Sequence, residues 1–467
     1  MNKRIGRLGI IITAAFIVII VNLTYLQFIA ASELTAKPEN IRPTLNKQKI
    51  RRGDIISADG QVLATSRKVG DTYKRYYPEG ELASPITGYY STEYGRAGLE
   101  LTFDEYLSGQ TKVSSPGDYI KRLLGKDVPG DNLFLTVNMD IQKTADRLLG
   151  SRKGAIVVLN PRTGAVLALA SHPSYNPNNV DQNWNTLIND PNGPMLNRAT
   201  QSRFTPGSTF KMVTAAAALE NASATTDTVF DAPGTIKIYG GKVTNFAGEN
   251  YSRITFADAF AKSVNTVFAQ VSKSLGGPKL VDAARAFGFG EKPPFDLPAS
   301  ESRIPQASEM DPLEVAWSSV GQGRVQATPL TMALIGAAVA NDGKIMQPYL
   351  VKKIQDAGGN TVYEASPKVW LSPMKPGISQ IVKSLMERVV NEGTGKAAKI
   401  PGVQVAGKTG TAEVGKDNPH AWFVGFAPAE NPQVLVAVII ENGGIGGRTA
   451  APIAREIMQE VLKKPKN

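Results

Sequence analysis

The first candidate for a nucleophile is Ser208 in the segment Pro206-Gly207-Ser208-Thr209-Phe210-Lys211. Pro and Gly stop the preceding chain, and the alanine-rich residues that follow predict a helix. Ser208 and Lys211 are three apart and share one helix face. A serine in the first turn lies beside free backbone N–H groups, where an oxyanion is stabilised. A lysine desolvated by this apolar helix would have a lowered pKa and could accept the serine proton.

Two later segments could complete such a site. Ser263-Val264-Asn265 lies in a predicted helical stretch, residues 257–271, where a bend between helices would turn a hydroxyl and an amide into a cleft. Lys408-Thr409-Gly410-Thr411 lies at the end of an alternating strand, and its Lys and Thr side chains offer charge and hydroxyls to a carboxylate. Gly407 and Gly410 lack Cβ, so another chain can approach the backbone closely.

Each motif alone also has a structural explanation. Serine is a common N-cap, Ser-x-Asn is typical of polar helix surfaces, and a glycine-rich edge strand often carries a protective lysine. Second copies occur as well. Ser372-Pro373-Met374-Lys375 repeats Ser-x-x-Lys, but its prolines forbid a regular helix. Ser174-Tyr175-Asn176 repeats Ser-x-Asn, but it precedes the nucleophile.

Composition narrows the chemistry further. The 467 residues include no cysteine and two histidines, His172 and His420. A thiol nucleophile, an iron–sulfur cluster, a Cys-type zinc site and a three-His metal site are therefore excluded. We expect neither a metal nor a cofactor. The hydrophobic fraction of 42% and charged fraction of 20% are typical of globular chains, and the length predicts about three units.

The N-terminus predicts a membrane anchor. Residues 8–31 are apolar and uncharged, long enough to cross a hydrocarbon core of ~30 Å, and Lys3, Arg4 and Arg7 precede them. The positive-inside rule places residues 1–7 in the cytoplasm and the rest outside. A cleaved signal peptide is the alternative, but its apolar region would be only ~7–15 residues. The net charge of +11 then faces anionic lipid or an anionic envelope, and we expect no nucleic-acid partner.

The remaining pattern predicts an α+β protein in three parts. Residues 1–32 form a cytoplasmic tip and single transmembrane anchor, residues 33–150 a small irregular α+β pedestal, and residues 151–467 the catalytic domain. Two apolar strands at 155–159 and 165–170 come early. Three more at 403–414, 421–426 and 434–441, with a helix from about 451 to 463, come late. If all five strands join, the sheet is antiparallel with helices on its faces. The Asn- and Pro-rich residues 172–203 between them predict a long loop.

The ordered set Ser-x-x-Lys, Ser-x-Asn, Lys-Thr-Gly resembles that of penicillin-binding proteins and β-lactamases. The chain resembles a class B penicillin-binding protein over nearly its whole length. Further similar segments are Asn197-Arg198-Ala199, Gly321-Gln322-Gly323, Thr328-Pro329-Leu330, the run His420 to Phe426, and the N-terminal run Arg52 to Ala64, where Ser57 and Ala58 replace the expected Asp and Arg. The compact pedestal is most similar to the actinobacterial penicillin-binding protein A subgroup. The fold implied is a transpeptidase domain with a five-stranded antiparallel sheet between helices.

The resemblance implies a role for each motif residue. Ser208 attacks the penultimate D-Ala carbonyl of a peptidoglycan stem peptide ending in D-Ala-D-Ala, and Lys211 acts as the base. Ser263, supported by Lys408, relays a proton to the leaving group. Asn265 binds the donor amide, and Thr409 and Thr411, with Gly410 between them, hold the terminal carboxylate. The N–H groups of Ser208 and Thr411 form the oxyanion hole. A second stem peptide then attacks the acyl-enzyme and closes a cross-link, whereas β-lactams leave a stable adduct.

Several rival functions share these motifs. A β-lactamase would need a Glu-x-x-Leu-Asn segment between Asn265 and Lys408, and none occurs. Residues 33–150 are too few for the glycosyltransferase of a bifunctional class A protein. A D,D-carboxypeptidase and a non-catalytic penicillin-binding sensor or scaffold remain open. For the pedestal, the family implies a polytopic glycan polymerase and division or elongation proteins as partners, and a simple spacer is the alternative.

Overall fold

The computed structural model describes residues 2–25, 48–109, 128–415 and 417–463. The first element is helix α1, Asn2–Thr24, whose described side chains from Ile5 onward are all exposed. Residues 5–24 are long and apolar enough to cross a membrane, with a mean hydropathy of 2.3. The predicted anchor is thus a helix as far as residue 24. The last part of the predicted apolar run and residues 32–47 lie outside the described residues.

The N-terminal module follows the anchor. Its strands are β1 (Ile55–Ile56), β2 (Val62–Val69), β3 (Thr72–Tyr76), β4 (Tyr90–Ser91), β5 (Gly95–Arg96) and β6 (Asn132–Leu135). Its helices are α2 (Ser84–Thr87), α3 (Gly98–Thr102), α4 (Asp104–Leu107) and α5 (Met139–Leu149). Strands β1 and β2 pair antiparallel across a turn at Asp59-Gly60. Gly60 has a φ of +81°, which a glycine adopts without strain.

A buried ionic cluster holds this module together. The Glu100 carboxylate is fully buried and accepts hydrogen bonds from Arg52 at 2.7 Å and from Arg75 at 2.5 Å. Arg52 also pairs with Asp104 at 2.7 Å and stacks over the Tyr90 ring at 4.3 Å. Burial alone would raise the pKa of Glu100, but the two arginines outweigh it and hold that pKa below its ordinary value.

The second part of the chain carries the predicted five-stranded sheet. Its first half contains β7 (Gly154–Leu159), β8 (Val166–His172), α6 (Val180–Asn189), α7 (Lys211–Glu220), β9 (Val229–Asp231), β10 (Thr235–Ile238), β11 (Gly241–Thr244), β12 (Arg253–Thr255), α8 (Phe256–Lys262), α9 (Asn265–Leu275) and α10 (Gly277–Ala286).

Its second half contains α11 (Pro312–Ser319), α12 (Pro329–Ala340), β13 (Ile345–Met346), β14 (Val351–Gln355), β15 (Thr361–Glu364), β16 (Val369–Leu371), α13 (Pro376–Asn391), β17 (Ala406–Val414), β18 (Asp417–Ala427), β19 (Val434–Ile440) and α14 (Gly446–Lys463). Short 3₁₀ turns lie at Gly80–Leu82, Pro177–Asn179, Gly207–Phe210, Phe246–Gly248, Ala307–Glu309 and Lys396–Ala398.

The five strands join in the order β17-β18-β19-β7-β8, all antiparallel. Strands β7 and β19 are buried at every position, because helices cover both faces. Alternate residues serve two cores. Val157 and Leu159 face the core that includes α12, whereas Ile156 and Val158 face the core that includes α5 and α14. The sheet between helical layers is confirmed, and β17, with the Lys-Thr-Gly motif, is at its edge.

A second sheet joins distant parts of the chain. Six strands run in the order β15-β14-β6-β1-β2-β3. Strand β6 pairs parallel with β1 and antiparallel with β14, so residues 351–364 complete a sheet begun by residues 55–76. This six-stranded sheet is therefore built from segments on both sides of residue 150, which local periodicity alone does not indicate.

The structure corrects two local predictions. The predicted loop at 172–203 contains helix α6, where Val180, Trp184 and Leu187 form an apolar face that packs on Tyr89 and Tyr175. Asn and Pro content suggested a loop, but this spacing of apolar residues decides the helix. The last helix begins at Gly446 rather than near residue 451, because its glycine-rich first turn packs against β17.

Candidate active site

The nucleophile segment begins as a 3₁₀ turn, Gly207–Phe210, and continues as α7 from Lys211. Residues i and i+3 eclipse one another in such a turn, so Ser208 and Lys211 stack on one face. A hydrogen bond from the Gly207 N–H to the Gly321 carbonyl oxygen, at 2.9 Å, holds the turn in place. A Cβ on Gly321 would lie 2.1 Å from the Gly207 carbonyl oxygen, and its φ is +72°. The Gly321-Gln322-Gly323 segment thus supports the nucleophile turn.

The Ser-x-Asn motif lies at the predicted bend. Helix α8 ends at Lys262, Ser263 adopts the left-handed conformation with φ +63° and ψ +40°, and α9 begins at Asn265. A non-glycine residue in this region is uncommon and is held there by its surroundings. Because the two helices meet at Ser263, the hydroxyl and the Asn265 amide both turn toward the buried amine of Lys211.

The two lysines meet at Ser263. The Lys211 Nζ donates to the Ser263 carbonyl oxygen at 2.8 Å, to Ser263 Oγ at 3.3 Å and to Asn265 Oδ1 at 2.7 Å. The Lys408 Nζ donates to the same Ser263 Oγ at 2.9 Å and to the Thr409 carbonyl oxygen at 3.1 Å. Residues 211, 263, 265 and 408, from helix α7, the α8–α9 junction and strand β17, therefore form one hydrogen-bonded group.

Both amines are unusually poor at holding a proton. Lys211 and Lys408 are fully buried. Burial lowers the pKa of Lys408 to about 7. Burial, together with the neighbouring Lys408 charge, lowers the pKa of Lys211 well below its ordinary value. Phe268 and Phe260 lie 5.0 and 5.7 Å from the two amines and form part of the apolar lining. At least one amine can therefore be neutral near pH 7 and act as a base.

The side chains of the Lys-Thr-Gly-Thr segment alternate between the two faces of β17. Alternation places Lys408 and Gly410 on one face and Thr409 and Thr411 on the other. Gly410 lies against the nucleophile turn, where an added Cβ would be 3.0 Å from both the Pro206 carbonyl oxygen and Thr209 Cγ2. The Thr411 hydroxyl accepts from the Gly446 N–H at 3.4 Å, at the start of α14. The two threonines thus face the positive end of that helix.

Ser208 is the one predicted catalytic residue that lies outside the hydrogen-bonded group of residues 211, 263, 265 and 408. Its side chain is half-buried, and its hydroxyl has no hydrogen-bond partner among the residues that the structure describes. The three donors of Lys211 are already directed to Ser263 and Asn265. Catalytic hydrogen bonds are often long before substrate binds, so proximity on the 3₁₀ turn remains compatible with Lys211 as base.

Three contacts that position the site residues involve partners outside the sequence motifs. The Asn265 Nδ2 donates to the Thr244 carbonyl oxygen at 2.9 Å, and Asn245 Oδ1 accepts from the N–H of Thr266 at 2.9 Å. The β10–β11 hairpin therefore holds the start of α9. Thr394 lies 2.6 Å from Thr409, oxygen to oxygen. These partners come from 15 to 21 positions away, and sequence spacing alone gave no signal for them. Across the described ranges, no group of three His, Asp or Glu residues is placed to hold a metal ion.

Comparison with known proteins supports the same class of site. The family model of the penicillin binding protein transpeptidase domain matches residues 154–459, and that of the penicillin binding protein A dimerisation domain matches residues 52–133. The peptidoglycan D,D-transpeptidase PbpA of Mycobacterium tuberculosis is 36% identical, with 99% of each chain covered.

Two solved structures are similar over most of the chain. The D,D-transpeptidase domain from Eggerthella lenta has a TM-score of 0.82 at 40% identity, covering 89% of this chain and 99% of that one. Penicillin-binding protein A from M. tuberculosis, as a ceftriaxone acyl-enzyme complex, has a TM-score of 0.85 at 35% identity, covering 90% of this chain and 100% of that one.

The chain therefore belongs to the penicillin-binding protein transpeptidase family, and its reaction class is serine acyl transfer of the D,D-transpeptidase type. It is similar to the mycobacterial penicillin-binding protein A group over essentially its full length, at 34–36% identity. The resemblance drawn from the three ordered motifs is confirmed.

Proposed function

We propose that this protein cross-links peptidoglycan by D,D-transpeptidation, with Ser208 as the nucleophile. The observation that carries the proposal is the Ser263 hydroxyl, held between two buried amines that burial keeps ready to lose a proton. That arrangement moves protons without a histidine. Relatives that share the fold are named peptidoglycan D,D-transpeptidases, and one is solved as a β-lactam acyl-enzyme.

In the proposed acylation, neutral Lys211 takes the Ser208 proton as Oγ attacks the penultimate D-Ala carbonyl of a stem peptide ending in D-Ala-D-Ala. The Oγ–C bond forms, and the oxyanion is held by the N–H groups of Ser208 and Thr411. The proton then passes from Lys211 through the Ser263 hydroxyl to the leaving amine, as the C–N bond breaks and D-Ala departs. Lys408, 2.9 Å from that hydroxyl, orients it.

In the second half, the amine of a neighbouring stem peptide attacks the acyl-enzyme. The same path in reverse removes the amine proton and returns one to Ser208 as the new amide forms. Asn265 binds the donor amide, and Thr409 and Thr411 on either side of Gly410 bind the donor carboxylate. A β-lactam enters as a donor mimic and leaves Ser208 blocked, because its tethered leaving group stays in the site.

The rest of the chain is assigned in the same way. We propose that residues 1–32 anchor the protein in the cell membrane with the N-terminus in the cytoplasm, that residues 33–150 form a pedestal whose sheet is completed by strands β14 and β15, and that residues 151–467 otherwise form the catalytic domain outside the membrane. The basic N-terminal flank supports this orientation. A polytopic glycan polymerase and division or elongation proteins are the proposed partners of the pedestal.

The test is labelling of the full chain in detergent micelles with a fluorescent penicillin, for wild type and Ser208→Ala. We expect stable label on the wild type and none on the variant. Ser202→Ala is a matched control, since Ser202 is half-buried upstream of the turn and makes no proposed contact. A folded wild-type protein that takes no label would refute the site. With stem-peptide donor and acceptor, dimer formation supports transpeptidation, whereas free D-Ala without dimer would replace it with carboxypeptidation.

A further inference from the structure

The Gly393–Gly395 loop contacts three elements at the end of the cleft where the donor carboxylate is proposed to bind. The Thr394 N–H donates to the Ala261 carbonyl oxygen at 3.2 Å, two residues before Ser263. The Thr394 hydroxyl lies 2.6 Å from that of Thr409. A Cβ on Gly447 would lie 2.3 Å from the Thr394 carbonyl oxygen. The loop is therefore wedged between α8, β17 and the first turn of α14.

The hydroxyls of Thr394 and Thr409 differ in their exposure to solvent. Thr409 is 5% exposed, whereas Thr394 is exposed. A hydroxyl has one proton to donate and two lone pairs to accept with. A carboxylate only accepts, so Thr409 can bind one only if its proton points away from Thr394. Thr409 must then accept from Thr394, and Thr394 becomes the donor that fixes its direction.

The surroundings favour an anion at this end of the cleft. Helix α14 has no acidic residue in its first turn, and the exposed Arg448 lies there. The Gly446 N–H already points to Thr411, next to Thr409 on the same face of β17. Helix dipole and cation both attract negative charge at this position. A chain of hydroxyls that ends on a carboxylate is also strengthened by mutual polarisation.

We propose that Thr394 is a positioning residue for the donor carboxylate: its hydroxyl donates to Thr409 Oγ1 and so aims the Thr409 proton at the substrate. This rests on the proposed function, since it presumes that the carboxylate binds Thr409. Thr394 lies outside the three motifs and acts through Thr409. It makes recognition of the donor carboxylate depend on the Gly393–Gly395 loop.

The test measures second-order acylation constants for the full chain in detergent, with a fluorescent penicillin and with its methyl ester, which lacks the anionic carboxylate. We expect Thr394→Val to slow acylation by the acid about 2- to 10-fold, the factor of one net hydrogen bond. The ester should change less than twofold. Thr394→Ser should restore the wild-type constant, and Thr361→Val on the exposed strand β15 is the matched control.

A double-mutant cycle separates positioning from independent binding. Because Thr394 acts through Thr409, Thr394→Val should add nothing to Thr409→Val. Effects that multiply, an unchanged constant in Thr394→Val, or equal slowing of acid and ester would each overturn the proposal. Failure of the wild type to take label would instead refute the proposed function, so the two failures are distinguishable.

Discussion

Replacing Lys408 by methionine should make the protein more stable near neutral pH while removing its activity. Methionine keeps the length of the buried stem and removes the amine. Burial lowers the pKa of Lys408 from 10.5 to about 7, so the folded protein binds this proton more weakly than the unfolded chain. Folding is therefore opposed below the unfolded pKa, and the opposition is complete once the pH falls below the folded pKa.

The size of the effect follows from the shift. One pKa unit is about 1.36 kcal/mol, so the free energy of unfolding is lowered by about 4 kcal/mol at pH 7 and about 1 kcal/mol at pH 10. The hydrogen bonds to Ser263 Oγ and the Thr409 carbonyl, at 2.9 and 3.1 Å, are lost in the variant. At about 1 kcal/mol each, they reduce the gain to about 2 kcal/mol at pH 7 and reverse it at pH 10.

The assay is urea unfolding of the full chain in detergent at pH 6 to 10, followed by tryptophan fluorescence. Lys344→Met, at an exposed lysine, is the control and should change the free energy of unfolding by less than about 0.5 kcal/mol at every pH. A Lys408→Met variant that is less stable at pH 7, or whose gain does not fall as pH rises, would refute the reasoning. Active sites often retain such groups at the expense of stability.

Three further substitutions test residues that support the active site and the N-terminal module. Gly321→Ala places a Cβ 2.1 Å from the Gly207 carbonyl oxygen, so penicillin acylation should fall at least tenfold; an unchanged rate would show that the turn adapts. Asn245→Ala leaves the start of α9 without its side-chain acceptor, and thermal unfolding should show a loss of about 1–3 kcal/mol together with slower acylation. Glu100→Gln leaves buried Arg75 without a charge partner and Arg52 with Asp104 alone, and should destabilise the protein by about 3–5 kcal/mol at pH 7. Because the pKa of Glu100 is lowered by folding, this difference should shrink as the pH falls through the acid range; a difference independent of pH would contradict the pairing.

The sequence predicts the parts of this site that depend on short local segments of the chain. Ser208 and Lys211 are predicted by a helix start, the five strands by apolar or alternating runs, and the bend at Ser263 by two polar residues in an apolar helical stretch. Contacts between distant segments are not written locally. The pairing of Thr394 with Thr409, and of Asn245 with the start of α9, depends on loops with no motif or period. Helix α6 was hidden because Asn and Pro outweighed three apolar residues at helical spacing.

The six-stranded sheet has a consequence for the order in which the chain can fold. Strands β1, β2, β3 and β6 are synthesised first, but β14 and β15 follow more than two hundred residues later. Until they arrive, β6 has an unpaired edge, which is a template for wrong partners. Pairings so distant in sequence also form slowly, because the intervening chain must be closed into a loop first. The sheet of the N-terminal module thus stays incomplete until the last third of the chain is synthesised, and a cut at residue 150 would leave both pieces with an open strand edge.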